Sequence, residues 1–228
     1  MFSLMQLVVI LKQQNINTVL YPIVFDSLIS RARNAAVAHF LSDPETTHLL
    51  FIDSDIEFKV DDVFALLLAN KPVVCAGYAQ KWLSTEKMKG VFTAPVEIAN
   101  PLELITKTSV HLLPTETPPD LLMKAKYATT GFLLVHRSVF EFIASRHPEL
   151  AFQNDIDGYS GANPAFFYDF FPITINPETK RFESEDYGFS RLWTELGGEI
   201  YVATNITLKH MGWYGFQANL YRQLTTQI

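Results

Sequence analysis

Apolar residues fall in short runs separated by turn-forming residues, and over the first eighty positions helical and strand-like runs alternate. Residues 2–14 read as a helix, with the apolar stretch 4–11 as its buried face. Asn15-Ile16-Asn17 breaks it before Thr18–Val24, TVLYPIV, a predicted strand with Pro22 near its end. Asp26 or Ser27 is placed to cap an alanine-rich helix over Leu28–Leu41. After the turn SDPETT come Leu49, Leu50, Phe51 and Ile52, an unbroken apolar run of the kind a strand shows when both faces are covered. Asp61 is placed to cap a short helix stopped by Asn70 and Pro72, and Val73–Gly77 reads as another buried strand. This alternation predicts an α/β fold with crossover helices and a parallel sheet.

The second half is less regular. Prolines at 95, 101, 114, 118 and 119 predict a few short strands and a mobile loop between Ala79 and Leu122. Lys126–His136, KYATTGFLLVH, reads as one strand, with Gly131 where something approaches the backbone closely. Arg137–Arg146 reads as a helix. Residues 154–168 form a Gly-, Asn- and Asp-rich loop suited to a lid or an acceptor platform. ESEDYGFSRLWTELGG predicts a helix capped by Ser184 and stopped by paired glycines. Strands follow at Glu199–Ala203 and Ile206–Lys209, and the last residues from Phe216 read as a short surface helix.

With 228 residues, 48% of them hydrophobic, the chain suits one domain and one core. A net charge of −6 excludes a general nucleic-acid binder, which carries a basic excess. The same charge asks for local cations wherever an anionic ligand binds. Cys75 sits in an apolar run and reads as a small core residue. No run approaches the length of a transmembrane segment, and residues 4–11 lack a basic leader and cleavage site, so a cytoplasmic location is expected.

The candidate chemistry lies at Asp53-Ser54-Asp55, where the apolar strand stops. If the backbone stays extended, side chains two apart share a face, so both carboxylates meet just past the strand's carboxyl end. Open α/β sheets bind ligands there. Two hard oxygen donors suit Mg²⁺ or Mn²⁺. An ordinary acidic turn closing a strand has the same sequence.

Several motifs in order, SRARN, DSD, TGFLLVHRSVF, SEDYGFSRLWTELGG and KHMG, resemble the glycosyltransferases of the GT-A fold, family 2-like, from about Ser27 to Trp213. The resemblance implies a GT-A type, Rossmann-like, mostly parallel central sheet flanked by helices, with a smaller mixed β region in the second half. It implies a donor-binding half over residues 1–80 and an acceptor and metal half over residues 120–215. It also implies metal-dependent transfer of a sugar from a nucleotide-diphosphosugar donor to a hydroxyl acceptor, a glycan or similar, by an inverting reaction with an Asp/Glu base. Domains of this group open with a strand; here the chain starts on what reads as the helix after it. The first strand of the usual fold is therefore expected to lie upstream of this sequence, to be replaced by another segment, or to be missing at a cost to nucleotide binding.

Residue by residue, the resemblance implies a metal held by Asp53 and Asp55 with His210 as third ligand, which favours Mn²⁺ over Mg²⁺. It implies donor contacts from Arg33, Asn34, Ser54, Lys81, Thr130 and Gly131. Arg31 is a second possible contact, although two residues turn a helix by about 200°, so Arg31 and Arg33 do not share a face. Asp186, then Glu185, is the expected base, though acids in a first helical turn are also favoured by the free amides. Trp82, Tyr168 and Trp213 are candidate stacking residues for sugar rings. Two other classes remain: a nucleotidyltransferase, and a sugar- or nucleotide-binding protein derived from such an enzyme without turnover.

Overall fold

In the computed structural model, which describes residues 2–24, 26–93, 100–115 and 118–226, the chain opens with helix α1 (Phe2–Gln13) and helix α2 (Ile29–Ser42). Strands β1 (His48–Ile52) and β2 (Ile56–Glu57), helix α3 (Val60–Leu68) and strand β3 (Val73–Cys75) follow. The middle holds β4 (Ala79–Leu83), α4 (Thr85–Thr93), α5 (Pro101–Ile105), β5 (Thr106–Thr108) and β6 (His111–Leu112). Then come β7 (Leu122–Tyr127), β8 (Phe132–His136), α6 (Arg137–Arg146), β9 (Thr174–Ile175), β10 (Phe182–Glu183) and α7 (Glu185–Glu195). The chain ends with β11 (Ile200–Ala203), β12 (Thr207–Met211), β13 (Gly215–Asn219) and α8 (Leu220–Thr225). Between Ala79 and Leu122, where short strands and a mobile loop were expected, α4 and α5 are helices; residues 94–99, with Pro95, and 116–117 lie outside the described residues.

Six strands form the central sheet in the order β1-β8-β3-β11-β7-β6. Only β3 and β11 pair in parallel; the other four neighbouring pairs are antiparallel. The fold is α/β, but the expected mostly parallel sheet is corrected to a mixed, mostly antiparallel one. The cause is the stretch read as one strand. KYATTGFLLVH is two strands: β7 ends at Tyr127, residues 128–131 pass the ends of β11 and β3, and β8 then inserts between β1 and β3. A strand buried on both faces shows the same apolar run whichever way its neighbours point, so the run did not carry the direction.

Alternation along the strands divides the core. Val73, Cys75, Leu133 and Val135 face a layer built by α2, α6 and α7, with Val37, Phe40, Phe140, Ile143 and Phe189. Val74, Ala76, Phe132 and Leu134 face the other layer, where Leu7 and Leu11 of α1 meet Val63 and Leu66 of α3. A sheet covered on both sides by helices is what the continuous apolar runs require. Helices α1 and α3 are followed by Asn15 and Asn70, whose φ values of 56° and 49° are left-handed. Asparagine tolerates that region better than most side chains, which is why the sequence stops were readable.

Three local expectations are corrected. Residues 18–24 join no strand, and Val19 (70%) and Val24 (64%) stay exposed. Strand propensity reports fit to a half-buried pleated surface, and here no sheet receives the segment. Helix α3 starts after Lys59, whose amide is taken by Asp62 Oδ2 at 2.7 Å, so the acid that caps it is Asp62 and not Asp61. Ser184 precedes α7 without a side-chain bond to the helix amides; its hydroxyl donates to Asp186 instead.

A three-stranded sheet, β13-β12-β2, and the pair β4-β5 form the smaller β region, drawing strands from both halves of the chain. Among the described residues no helix is long and apolar enough to cross a membrane.

Candidate functional site

The backbone turns where extension was expected. Asp53 N donates to Gly131 O at 3.0 Å, the last contact of the β1 and β8 ladder, and Ile56 N donates to Asp53 O at 3.0 Å. That bond closes a tight turn over Ser54 and Asp55, and β2 then pairs with β12, opposing Ile56 to His210. Side chains two apart do not share a face across such a turn. The two carboxylates therefore go to different partners. Asp53 Oδ1 accepts from Arg33 Nη2 at 3.1 Å, whereas Asp55 Oδ2 lies 2.6 Å from Lys81 Nζ and 3.2 Å from His210 Nε2.

His210 is oriented by its other nitrogen. Nδ1 lies 2.8 Å from the Ala79 carbonyl, which only accepts, so Nδ1 carries hydrogen, and Nε2 faces the Asp55 carboxylate at 3.2 Å. Metal-binding histidines are held this way, by a backbone carbonyl on the far nitrogen. Burial pushes the Asp55 carboxyl up, but the Lys81 ammonium and then His210 outweigh it and hold the group below its ordinary range. As a donor set, one carboxylate and one imidazole fit a divalent transition ion. Asp53 is tied to Arg33, and among the described residues no three His, Cys, Asp or Glu side chains are gathered as a ligand group. Asp55 and His210 would hold the ion, with Lys81 competing for the same carboxylate oxygen.

Arg33 is 6% exposed and joins three elements. Besides Asp53 it reaches Glu185 Oε1 on α7 at 3.4 Å, and its guanidinium lies 5.6 Å from the centre of the Phe51 ring on β1. Arg31 and Asn34 point elsewhere. Arg31 pairs twice with Asp26, at 2.8 and 3.0 Å, and Asp26 also accepts from Tyr159. The buried Asn34 donates to Asp169 at 2.8 Å and accepts from Phe171 N at 3.1 Å. Of the three SRARN side chains, Arg33 alone touches the site carboxylates, as the helical turn between 31 and 33 requires.

At the start of α7, Asp186 Oδ1 accepts from Ser184 Oγ and from Tyr187 N, the latter at 2.9 Å. Thr130 is buried and Ser54 exposed, and Ser54 and Asp55 line an open hollow of about 380 Å³ with Phe2, Ser3 and Gln6. Trp213 and Trp82 are exposed, while Tyr168 turns its ring to Phe170 at 5.6 Å.

Tyr78 belongs to this site and was not singled out from the sequence. Its ring lies 5.1 Å from that of His210, and a Cβ on Gly131 would come within 2.7 Å of it. Burial, then the charges of Asp53 and Asp186, push its phenol well above the ordinary value. The available signal was position: like Asp53, Tyr78 lies just beyond the carboxyl end of a buried strand.

No protein-family model matches the sequence, and no curated protein matches it. Among solved structures, the crystal structure of A197 from STIV is similar with a TM-score of 0.45 and 16% identity, over 90% of this chain and 78% of that one. That likeness is too slight to carry fold detail or function across.

Proposed function

We propose that the chain is a metal-dependent glycosyltransferase, moving a sugar from a nucleotide-diphosphosugar to a hydroxyl acceptor with Mn²⁺ or Mg²⁺. The observation that carries the reading is the pairing of Asp55 with His210, whose Nδ1 is fixed on the Ala79 carbonyl. Supporting it, Arg33 and Glu185 join Asp53 at the same strand end. A bound divalent ion supplies a Lewis acid for the leaving diphosphate.

The chain's own groups have separate tasks. Arg33, permanently charged and with five donors, offers its remaining N–H groups to the donor while its carboxylate partners hold it in place. Asp186 keeps Oδ1 on Ser184 and Tyr187, and its other oxygen is the base. As the acceptor oxygen attacks the anomeric carbon, its proton passes to Asp186 and the bond from that carbon to the diphosphate oxygen breaks. The nucleoside diphosphate leaves with the bonding electrons. Glu185, held by Arg33, is committed to the donor side of the site.

The test is release of sugar from nucleotide sugars with and without Mn²⁺, for wild type and Asp55→Ala. Mn²⁺-dependent release that the substitution removes supports the reading; no release under any donor sinks it. A second reading, a nucleotide-sugar binder without turnover, is favoured by one observation: each carboxylate already has a cation partner, Arg33 for Asp53 and Lys81 for Asp55. Metal-independent binding with no sugar release would select it.

A further inference from the structure

Beside Asp186 lies a cluster that the reading above does not use. Tyr187 Oη lies 2.9 Å from His111 Nε2, and the rings of Tyr127 and Tyr187 meet edge to face at 4.1 Å. The Arg181 guanidinium lies 4.5 Å from the centre of the Tyr187 ring and 5.9 Å from that of Tyr127. Lys126 Nζ lies 5.2 Å from the Tyr127 ring. Burial pushes the His111 imidazole down, and the charge of Arg181 adds to this.

Two cations, Arg181 and Lys126, therefore lie against two tyrosines in a chain of net charge −6. Their neighbours have partners: Lys124, two residues from Lys126, is paired with Glu199, and Arg191 with Glu183 and Glu195. Arg181 and Lys126 form no ion pair among the described residues, and both are exposed. A guanidinium lying over an aromatic ring keeps its N–H edge free, and that planar fork matches the oxygens of phosphate. Like cations gathered without carboxylates repel one another, a cost that an anion removes. Two positive charges exceed what one carboxylate neutralises and match a phosphate, which carries about −1.5 to −2.

We infer that this surface binds the acceptor, and that the acceptor is a carbohydrate bearing a phosphate group. The phosphate lies on Arg181 and Lys126, and the apolar face of the sugar lies on the tyrosine edge. That places a hydroxyl of the same sugar toward Asp186. The term acceptor rests on the sugar-transfer reading; the phosphate site does not. A long nucleic acid is disfavoured by the overall negative charge.

The test is calorimetric titration of the full chain with glucose 6-phosphate, glucose, inorganic phosphate and a short single-stranded oligonucleotide. Glucose 6-phosphate is expected to bind more tightly than the other three. Arg181→Ala should weaken it about tenfold, with Arg181→Lys in between, because charge without the fork is retained. Asp55→Ala should leave this affinity unchanged, since it acts on the donor side. Equal affinity for glucose and glucose 6-phosphate, no change in Arg181→Ala, loss in Asp55→Ala, or tighter oligonucleotide binding would each overturn the inference. Sugar phosphate binding of this pattern without any nucleotide-sugar turnover would sink the transfer reading and leave the phosphate site standing. Turnover with an unresponsive Arg181 would do the reverse.

Discussion

Asp55 Oδ2 and His210 Nε2 face each other at 3.2 Å although 155 positions separate them, because β2 and β12 pair with Ile56 opposite His210. A second bond, Met211 N to Asp55 O at 2.7 Å, fixes the turn to the same strand. The pair is thus a property of backbone register, and side-chain changes test it cleanly. His210→Gln keeps a polar group on the Ala79 side and removes the imidazole lone pair. Mn²⁺ affinity, read from the metal dependence of sugar release, should fall by about 10- to 100-fold with the melting temperature little changed. An unaltered metal dependence would remove His210 from the ligand set.

Gly131 and Tyr78 give a packing test of the same site. A methyl at 131 would stand 2.7 Å from Tyr78 Cε1, so the ring must leave its place beside His210. Gly131→Ala should cost about 1–3 kcal/mol in urea denaturation, the usual range for overfilling a packed site. Shortening the ring in Gly131→Ala/Tyr78→Ala should make the pair less destabilised than the two single changes summed. Additivity would show that the ring and residue 131 are uncoupled.

Asn34 was expected at the donor, and the structure places it inside. Its amide ties α2 to Asp169 and to the Phe171 backbone. Asn34→Ala strands a buried N–H and a carboxylate oxygen, so stability should drop by about 1–3 kcal/mol. Nucleotide-sugar affinity of the folded fraction should stay within twofold, and a large selective loss of affinity would restore Asn34 to the donor site.

Helices α1, α2, α3, α6 and α7, the buried strands and the strand end at Asp53 were readable from apolar runs and stop residues, whereas α4 and α5 were not. Three further things were not. Strand direction was hidden because Leu133 and Val135 face one layer and Phe132 and Leu134 the other, a pattern parallel and antiparallel neighbours produce alike. The divergence of Asp53 and Asp55 depends on one backbone bond, Ile56 N to Asp53 O, which no residue type in DSD announces. The cations against Tyr127 and Tyr187 come from separate segments, at 126 and 181, and only the folded chain brings them together. That Arg31 and Arg33 face different ways followed from helical geometry; the choice of Arg33 rested on the resemblance.

Acid should weaken the fold over a defined window. Burial pushes the imidazoles of His39, His48 and His111 down; at His48 the facing His136, its partner across β1 and β8, adds to this, with ring centres 4.9 Å apart. At His111 the cations Arg181 and Lys107 add to it. A histidine whose folded pKa is lowered binds a proton less readily in the fold than in the unfolded chain. Below the unfolded value of about 6.5 the unfolded chain therefore takes up more protons, and stability falls with pH until the folded groups also titrate. The loss is complete only below those lowered values. Asp26, drawn down chiefly by Arg31, belongs to a different window, since its contribution is lost only below the ordinary carboxylate range. Asp62 has the opposite sign, because burial raises it and its ionisation opposes folding. The urea midpoint should therefore fall between pH 7.5 and 5.5, before any carboxylate of ordinary pKa is protonated. His48→Gln should flatten part of that slope. A midpoint constant over this range, or a slope unchanged in His48→Gln, would show that the histidines do not set it.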